Sequence, residues 1–170
     1  MRKHLRSTRF IFAVVLCHIP GSFAHGQTGP RVPTSPEKKP IMTNRAHGSF
    51  DVKLTPQSDD KSDPTFGRMT IDKQIHGELE ATSKGQMLTA GTEVKGSGVY
   101  VAVERVTGTL KGRSGGFTLH HTGIMTRGTP QLTITVVPDS GTGDLAGIAG
   151  TMTITITDGK HFYDFDYTLP

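Results

Sequence analysis

The chain has 170 residues, 34% of them apolar and 20% charged, with 19 Lys and Arg against 15 Asp and Glu. The excess of base lies in its first ten residues: without Arg2, Lys3, Arg6 and Arg9 the count falls to 15 bases against 15 acids. A balanced remainder excludes the broad basic face that nucleic acid or an anionic membrane would need. Cys17 is the single cysteine, so no disulfide and no thiolate chemistry is available to the residues after it.

Residues 1–24 have the three-part layout of a secretory signal peptide. Basic residues lead, Ile11–Cys17 forms an apolar stretch, Pro20 and Gly21 break it, and Ser22 and Ala24 place small residues for cleavage after Ala24. The stretch is too short to span a bilayer, which argues against an uncleaved anchor and against stable membrane insertion after cleavage. Leu16 is too large for a lipoprotein signal at Cys17. The protein is therefore expected to be exported, periplasmic or secreted. Residues 25–45 carry Pro30, Pro33, Pro36 and Pro40 among polar residues, a composition with little to bury, and are expected to form a disordered tether. One folded domain follows, over 46–170.

Within that domain apolar and polar residues alternate with a period of two. Phe50, Val52 and Leu54 share a face, as do Met69 and Ile71, Leu79 and Ala81, and Met152, Ile154 and Ile156. This is the pattern of antiparallel strands with one buried side. Lys84–Thr89 extends the preceding run into one long strand, with a bulge or bend expected at Gly85. Tyr100–Val106 is apolar on both faces and is expected to be covered on both. No segment has a helical period. About eight strands result, joined by hairpins at 111–116, 126–129 and 158–160, the last carrying Asp158-Gly159. Eight antiparallel strands hide their edges by closing, so the expected fold is a single eight-stranded antiparallel β-barrel, with a β-sandwich as the alternative.

Several motifs invite chemistry. Gly112-Arg113-Ser114-Gly115-Gly116 has the G-x-S-x-G spacing of serine hydrolases, but it lies between two strands where that chemistry needs a strand-to-helix elbow. A glycine-rich hairpin is the better reading. Asp139–Asp144 lacks the Glu of a calcium loop and the Lys of a phosphate loop. A wide turn is expected there, with Gly141 and Gly143 at positive φ and Asp139 bonding its own turn. His120 and His121 point to opposite faces of one strand and cannot chelate a metal as a pair. Asp164 and Asp166 share the polar face of the last strand and suit cross-strand basic partners better than an ion. Neither a metal site nor a cofactor motif is read.

His121 continues the apolar row of Phe117 and Leu119, and Glu104 shares a face with Tyr100, Ala102 and Val106. If these rows face inward, Glu104 and His121 would meet inside the barrel as an acid–base pair, the buried carboxylate needing His121 or an arginine as partner. The reverse orientation would bring Arg105 inside. Tyr100, Glu104, Phe117 and His121 are the residues expected to touch a ligand there, with Glu104 and His121 the weak candidates for catalysis.

The segments 68–73 (RMTIDK), 100–110 (YVAVERVTGTL), 116–123 (GFTLHHTG), 137–145 (VPDSGTGDL) and 158–169 (DGKHFYDFDYTL) resemble, in order and over nearly all of 46–169, domain-of-unknown-function family 3224 (DUF3224). The resemblance implies a barrel similar to allene oxide cyclase and dirigent proteins, with a central cavity. It implies no activity and no catalytic residues, and the leader and tether depart from the bare domain typical of the family. Three functions follow as expectations: a binding module for a small apolar molecule, a cyclase- or isomerase-type enzyme using Glu104 and His121, or a packed structural domain. Oligomeric state is not legible.

Overall fold

A computed structural model describes residues 42–57 and 65–170; the expected leader and all but the last residues of the expected tether lie outside them. The described residues form nine strands and no helix: β1 (Asn44–Pro56), β2 (Phe66–Gly77), β3 (Leu79–Gly91), β4 (Gly98–Leu110), β5 (Arg113–Thr126), β6 (Thr129–Val136), β7 (Thr142–Gly143), β8 (Ala149–Thr157) and β9 (Lys160–Thr168). All pairings are antiparallel. Eight strands close into a ring in the order β1-β2-β3-β4-β5-β6-β8-β9, with β9 returning to β1, and β7 lies outside it against β5. A single sheet closed on itself excludes the sandwich.

The turns follow from local chemistry. Lys111-Gly112, Arg127-Gly128 and Asp158-Gly159 each place two successive residues at positive φ (45° and 83°, 48° and 88°, 51° and 75°). Glycine takes the second of these positions at no steric cost, and the two-residue turn has the twist that antiparallel strands require. The first such turn accounts for the G-x-S-x-G match. Ser114 lies in β5, its backbone N–H donating to Asp144 Oδ2 at 3.2 Å.

The segment between β6 and β8 is anchored from outside the barrel by Arg105, which donates to the Ser140 carbonyl at 2.7 Å and to Thr142 Oγ1 at 2.8 Å. It carries Leu145 and Ile148 into the main core. Asp139 and Gly143 take positive φ there, and Gly141 does not. The turn bond belongs to Ser140, whose hydroxyl donates to the Val137 carbonyl at 2.7 Å.

Inward rows supply the core, dominated by Phe50, Leu79, Leu110, Phe117, Leu119, Ile134, Phe165 and Tyr167. The face opposite the β9 aromatics is solvated, and there Arg45 forks onto Asp166 at 2.7 and 3.0 Å. Two local expectations differ from what is found. Gly85 keeps regular register between Ile71 and Glu104, so there is no bulge. A Cβ at Gly85 would lie 2.7 Å from that of Glu104, so glycine supplies room there, not a bend. Val99, Val101 and Val103, on the outward face of β4, are between 41% and 52% exposed; no described residue covers them.

The ring is uneven. β6 and β8 lie side by side but share one ladder pair, Thr135 with Thr151. The β1–β9 ladder stops at Phe50 and His161, leaving Asp51–Pro56 paired with β2 alone. The barrel is consequently splayed at the end where β1 finishes and β4 begins.

Candidate functional site

The inward row of β4 runs Tyr100, Ala102, Glu104, Val106, and that of β5 runs Phe117, Leu119, His121, Gly123. Ala102 stands opposite His121 in the ladder, so Glu104, two residues on, shares that inward face and is the diagonal neighbour of His121. Glu104 is 1% exposed and His121 4%, with Glu104 Oε1 2.9 Å from His121 Nε2. Arg105 points outward.

Two further side chains complete the cluster. Lys73 Nζ donates to Glu104 Oε1 at 2.7 Å, and Ser83 Oγ donates to Oε2 at 2.7 Å. The Lys73 ammonium also lies 4.9 Å from the centre of the Phe50 ring, a cation–π distance. Sequence reasoning missed both residues. The signal was present: Lys73 lies between Ile71 and Ile75, and Ser83 continues the row of Leu79 and Ala81, so alternation puts both inside. A lysine reads as solvent-facing by default, and of the partners expected for Glu104, His121 is present while a lysine stands where an arginine was expected.

Burial pushes the Glu104 carboxyl upward, but the His121 hydrogen bond and the Lys73 charge outweigh it and hold the pKa down to about 2. The carboxylate is therefore ionised at neutral pH. An ionised carboxylate only accepts, so His121 Nε2 carries the hydrogen in their bond. Among the described residues no buried side-chain polar atom lacks a partner. Such a cluster holds one arrangement tightly, and removing one member would strand the others.

The four residues form a polar layer between two apolar ones. On one side lie Ile71, Met87 and Ala102, with Met69 and Tyr100 packed against them. On the other lies the main core, with Phe117 fully buried and stacked on Phe165 at 5.4 Å between ring centres. The four residues expected to line one site are thus separated by depth: Tyr100 toward the splayed end, Glu104 and His121 in the layer, Phe117 beyond it.

At the splayed end the inward rows finish in open apolar side chains. Leu54, Met125, Leu132 and Ile156 are 40% to 63% exposed. A pocket of about 390 Å³ opens there beside Thr89, Tyr100, Gly123, Met125 and Leu132, its outer lip formed by Val99 and Ile124. None of the polar quartet lines it. Tyr100 connects the two, because it walls the pocket and stands four residues from Glu104 on the same row, about 13 Å along the strand. Burial, and then the Glu104 charge, raise the Tyr100 pKa, so its phenol remains a donor. The Tyr100 ring lies across Gly123, where a Cβ would collide with it. The missing side chain at Gly123 thus seats the aromatic. Among the described residues, no three His, Cys, Asp or Glu side chains converge as metal ligands. His120 points outward, with Nε2 3.3 Å from Thr122 Oγ1.

The family model described as "Protein of unknown function (DUF3224)" matches residues 46–167. The chain belongs to the DUF3224 family. Its barrel is similar to the crystal structure of a DUF3224 protein of unknown function from Shewanella oneidensis MR-1, with 49% identity and a TM-score of 0.72, over 76% of this chain and 98% of that one. Among curated proteins nothing matches.

Proposed function

We propose that this DUF3224 protein is an exported binding module that holds a small, largely apolar molecule at the splayed end of its barrel. The observation that carries the reading is the mouth pocket of about 390 Å³, where inward-facing Met125 and Leu132 stand open to solvent. Such side chains face inward along the strand pattern yet have no protein partner to fill the space before them. A few hundred cubic ångströms, apolar walls and few polar groups suit a small hydrophobic ligand. The Tyr100 phenol is placed to fix its orientation. Export rests on the basic, apolar and small-residue sequence of 1–24.

The same geometry weighs against Glu104 and His121 as catalysts. Glu104 accepts from Lys73 and His121 on one oxygen and from Ser83 on the other, and a carboxyl held near a pKa of about 2 is a weak base at neutral pH. The quartet is better suited to holding the floor beneath the mouth.

Binding of the apolar fluorophore N-phenyl-1-naphthylamine tests the reading. Leu132→Arg puts a charge into the pocket and should weaken binding at least about tenfold, while Thr153→Arg on the exposed outer face of β8 should leave it unchanged. Native mass spectrometry of protein recovered from its own host should show a co-purifying small molecule. Equal probe affinity in wild type and Leu132→Arg would overturn the proposal.

A further inference from the structure

None of the described residues lining the mouth pocket is an acid or a base. Its inward-facing polar side chains are Thr89 and Tyr100, partners in the β3–β4 ladder, while Gln131 lies on the outer lip beside Ile124. The Thr89 hydroxyl is turned toward β2, where a Cβ at Gly67 would lie 2.7 Å from Oγ1. The Tyr100 phenol is left as the donor at the pocket.

That phenol is held in place and has no bond of its own. Its ring is seated across Gly123 and packs on the cluster of Ile71, Met87 and Ala102. No described residue hydrogen-bonds its hydroxyl. Tyr163, near the other end of the barrel, is the contrast: its hydroxyl accepts from the Leu79 N–H at 3.0 Å and donates to the His76 carbonyl at 3.4 Å. The rim beside Tyr100 is fixed as well. The Gly128 N–H donates to the Gly96 carbonyl at 2.9 Å and the Arg127 N–H to Ser97 Oγ at 3.0 Å, which ties the β3–β4 connection to the β5–β6 turn. A donor already ordered, and without a protein partner, gives its bond to a ligand at little further entropic cost.

The charge state of that ligand follows from the walls. A carboxylate would be desolvated among them with no cation beside it, and an ammonium would find no carboxylate. The charge that reaches the phenol from deeper in the barrel is the negative one of Glu104, which repels an anion further.

We infer that the pocket takes an uncharged molecule bearing an acceptor oxygen of the ketone, ester or ether kind, and that Tyr100 selects it by donating its phenolic hydrogen to that oxygen. The inference rests on the binding role proposed above and adds the chemical class of the ligand.

Three probes of one shape test it by displacing N-phenyl-1-naphthylamine: 2-acetylnaphthalene, 2-ethylnaphthalene and 2-naphthoate. Tyr100→Phe keeps the ring and loses no bond within the protein, so its circular dichroism should match wild type. In that variant 2-acetylnaphthalene should lose about fivefold in affinity, the worth of one neutral hydrogen bond, while 2-ethylnaphthalene should be unchanged. In wild type 2-naphthoate should be the poorest of the three. Equal losses for the ketone and the hydrocarbon overturn the inference. So does 2-naphthoate binding best, with exposed Lys95 and Arg127 on the neighbouring turns then holding the anion. If N-phenyl-1-naphthylamine and 2-ethylnaphthalene bind but the ketone shows no dependence on Tyr100, the pocket reading stands and this inference falls; if no probe binds, both fall.

Discussion

Lys73 and Glu104 meet at 2.7 Å although their strands are not neighbours: β3 lies between β2 and β4. The contact is possible because β3 presents only Ser83 and Gly85 at that level. A lysine can then reach over the intervening strand to a carboxylate that meets no other lysine or arginine among the described residues.

Lys73→Met should accordingly be among the most destabilising single changes in the domain. It leaves Glu104 buried and ionised without its cation, for which about 3–5 kcal/mol is typical. The double variant Lys73→Met/Glu104→Leu removes both charges and should recover most of the loss. Urea unfolding monitored by circular dichroism would show this as a non-additive cycle; additive costs would mean that the pair is uncoupled.

The acid limb of stability follows from the depressed Glu104 carboxyl. Its folded pKa, about 2, lies below the ordinary glutamate value of 4.5. The unfolded chain therefore binds the proton more readily, and the stabilisation is fully present above about 4.5. It fades as pH falls and is gone below the folded pKa. Melting temperature should decline across that window in wild type, and Glu104→Gln should flatten the decline while lowering stability at neutral pH. An acid profile unchanged by Glu104→Gln would remove Glu104 as its cause.

Gly123→Val should act on the mouth without touching the polar layer. The new side chain collides with the Tyr100 ring, which has to swing from its seat at a cost of about 1–3 kcal/mol for an overpacked position. The expected signature is altered Tyr100 near-ultraviolet dichroism together with weaker apolar-probe binding. Wild-type probe affinity in this variant would mean that the Tyr100 ring does not shape the pocket.

The single Thr135–Thr151 pair between β6 and β8 should be the place where the wall opens first. Hydrogen exchange at Thr129–Thr133 should be faster than in β4, which is laddered on both sides along its length. Joining the seam with Thr135→Cys/Thr151→Cys should raise stability by about 2–4 kcal/mol once oxidised. Uniform protection across β4 and β6 would contradict this.

Period-two alternation made the barrel legible, because a sheet with one wet face writes its geometry into every second residue. The same rule placed Glu104 and His121 on rows that could meet. It failed at Lys73 and Ser83, where a polar residue on an apolar row was given its usual surface meaning, and only the three-dimensional reach across β3 corrects that. It failed again at Val99–Val103, where apolar residues on both faces imply a cover but alternation does not say whose. A glycine within a strand, as at Gly85, locally signals a bulge or bend. Its purpose, room for Glu104, depends on a neighbour 19 residues away along the chain, which no local pattern contains.

The β1–β9 ladder joins the first described strand to the last, Asn44 to Tyr167. Much of the aromatic core, Tyr163, Phe165 and Tyr167, is delivered by β9. A chain leaving the ribosome therefore lacks both its closing strand and the centre of its core until β9 has been made. Contacts this distant in sequence also make for slow folding. The nascent polypeptide stays threadable for as long as β9 is missing, a property that would serve the export proposed above.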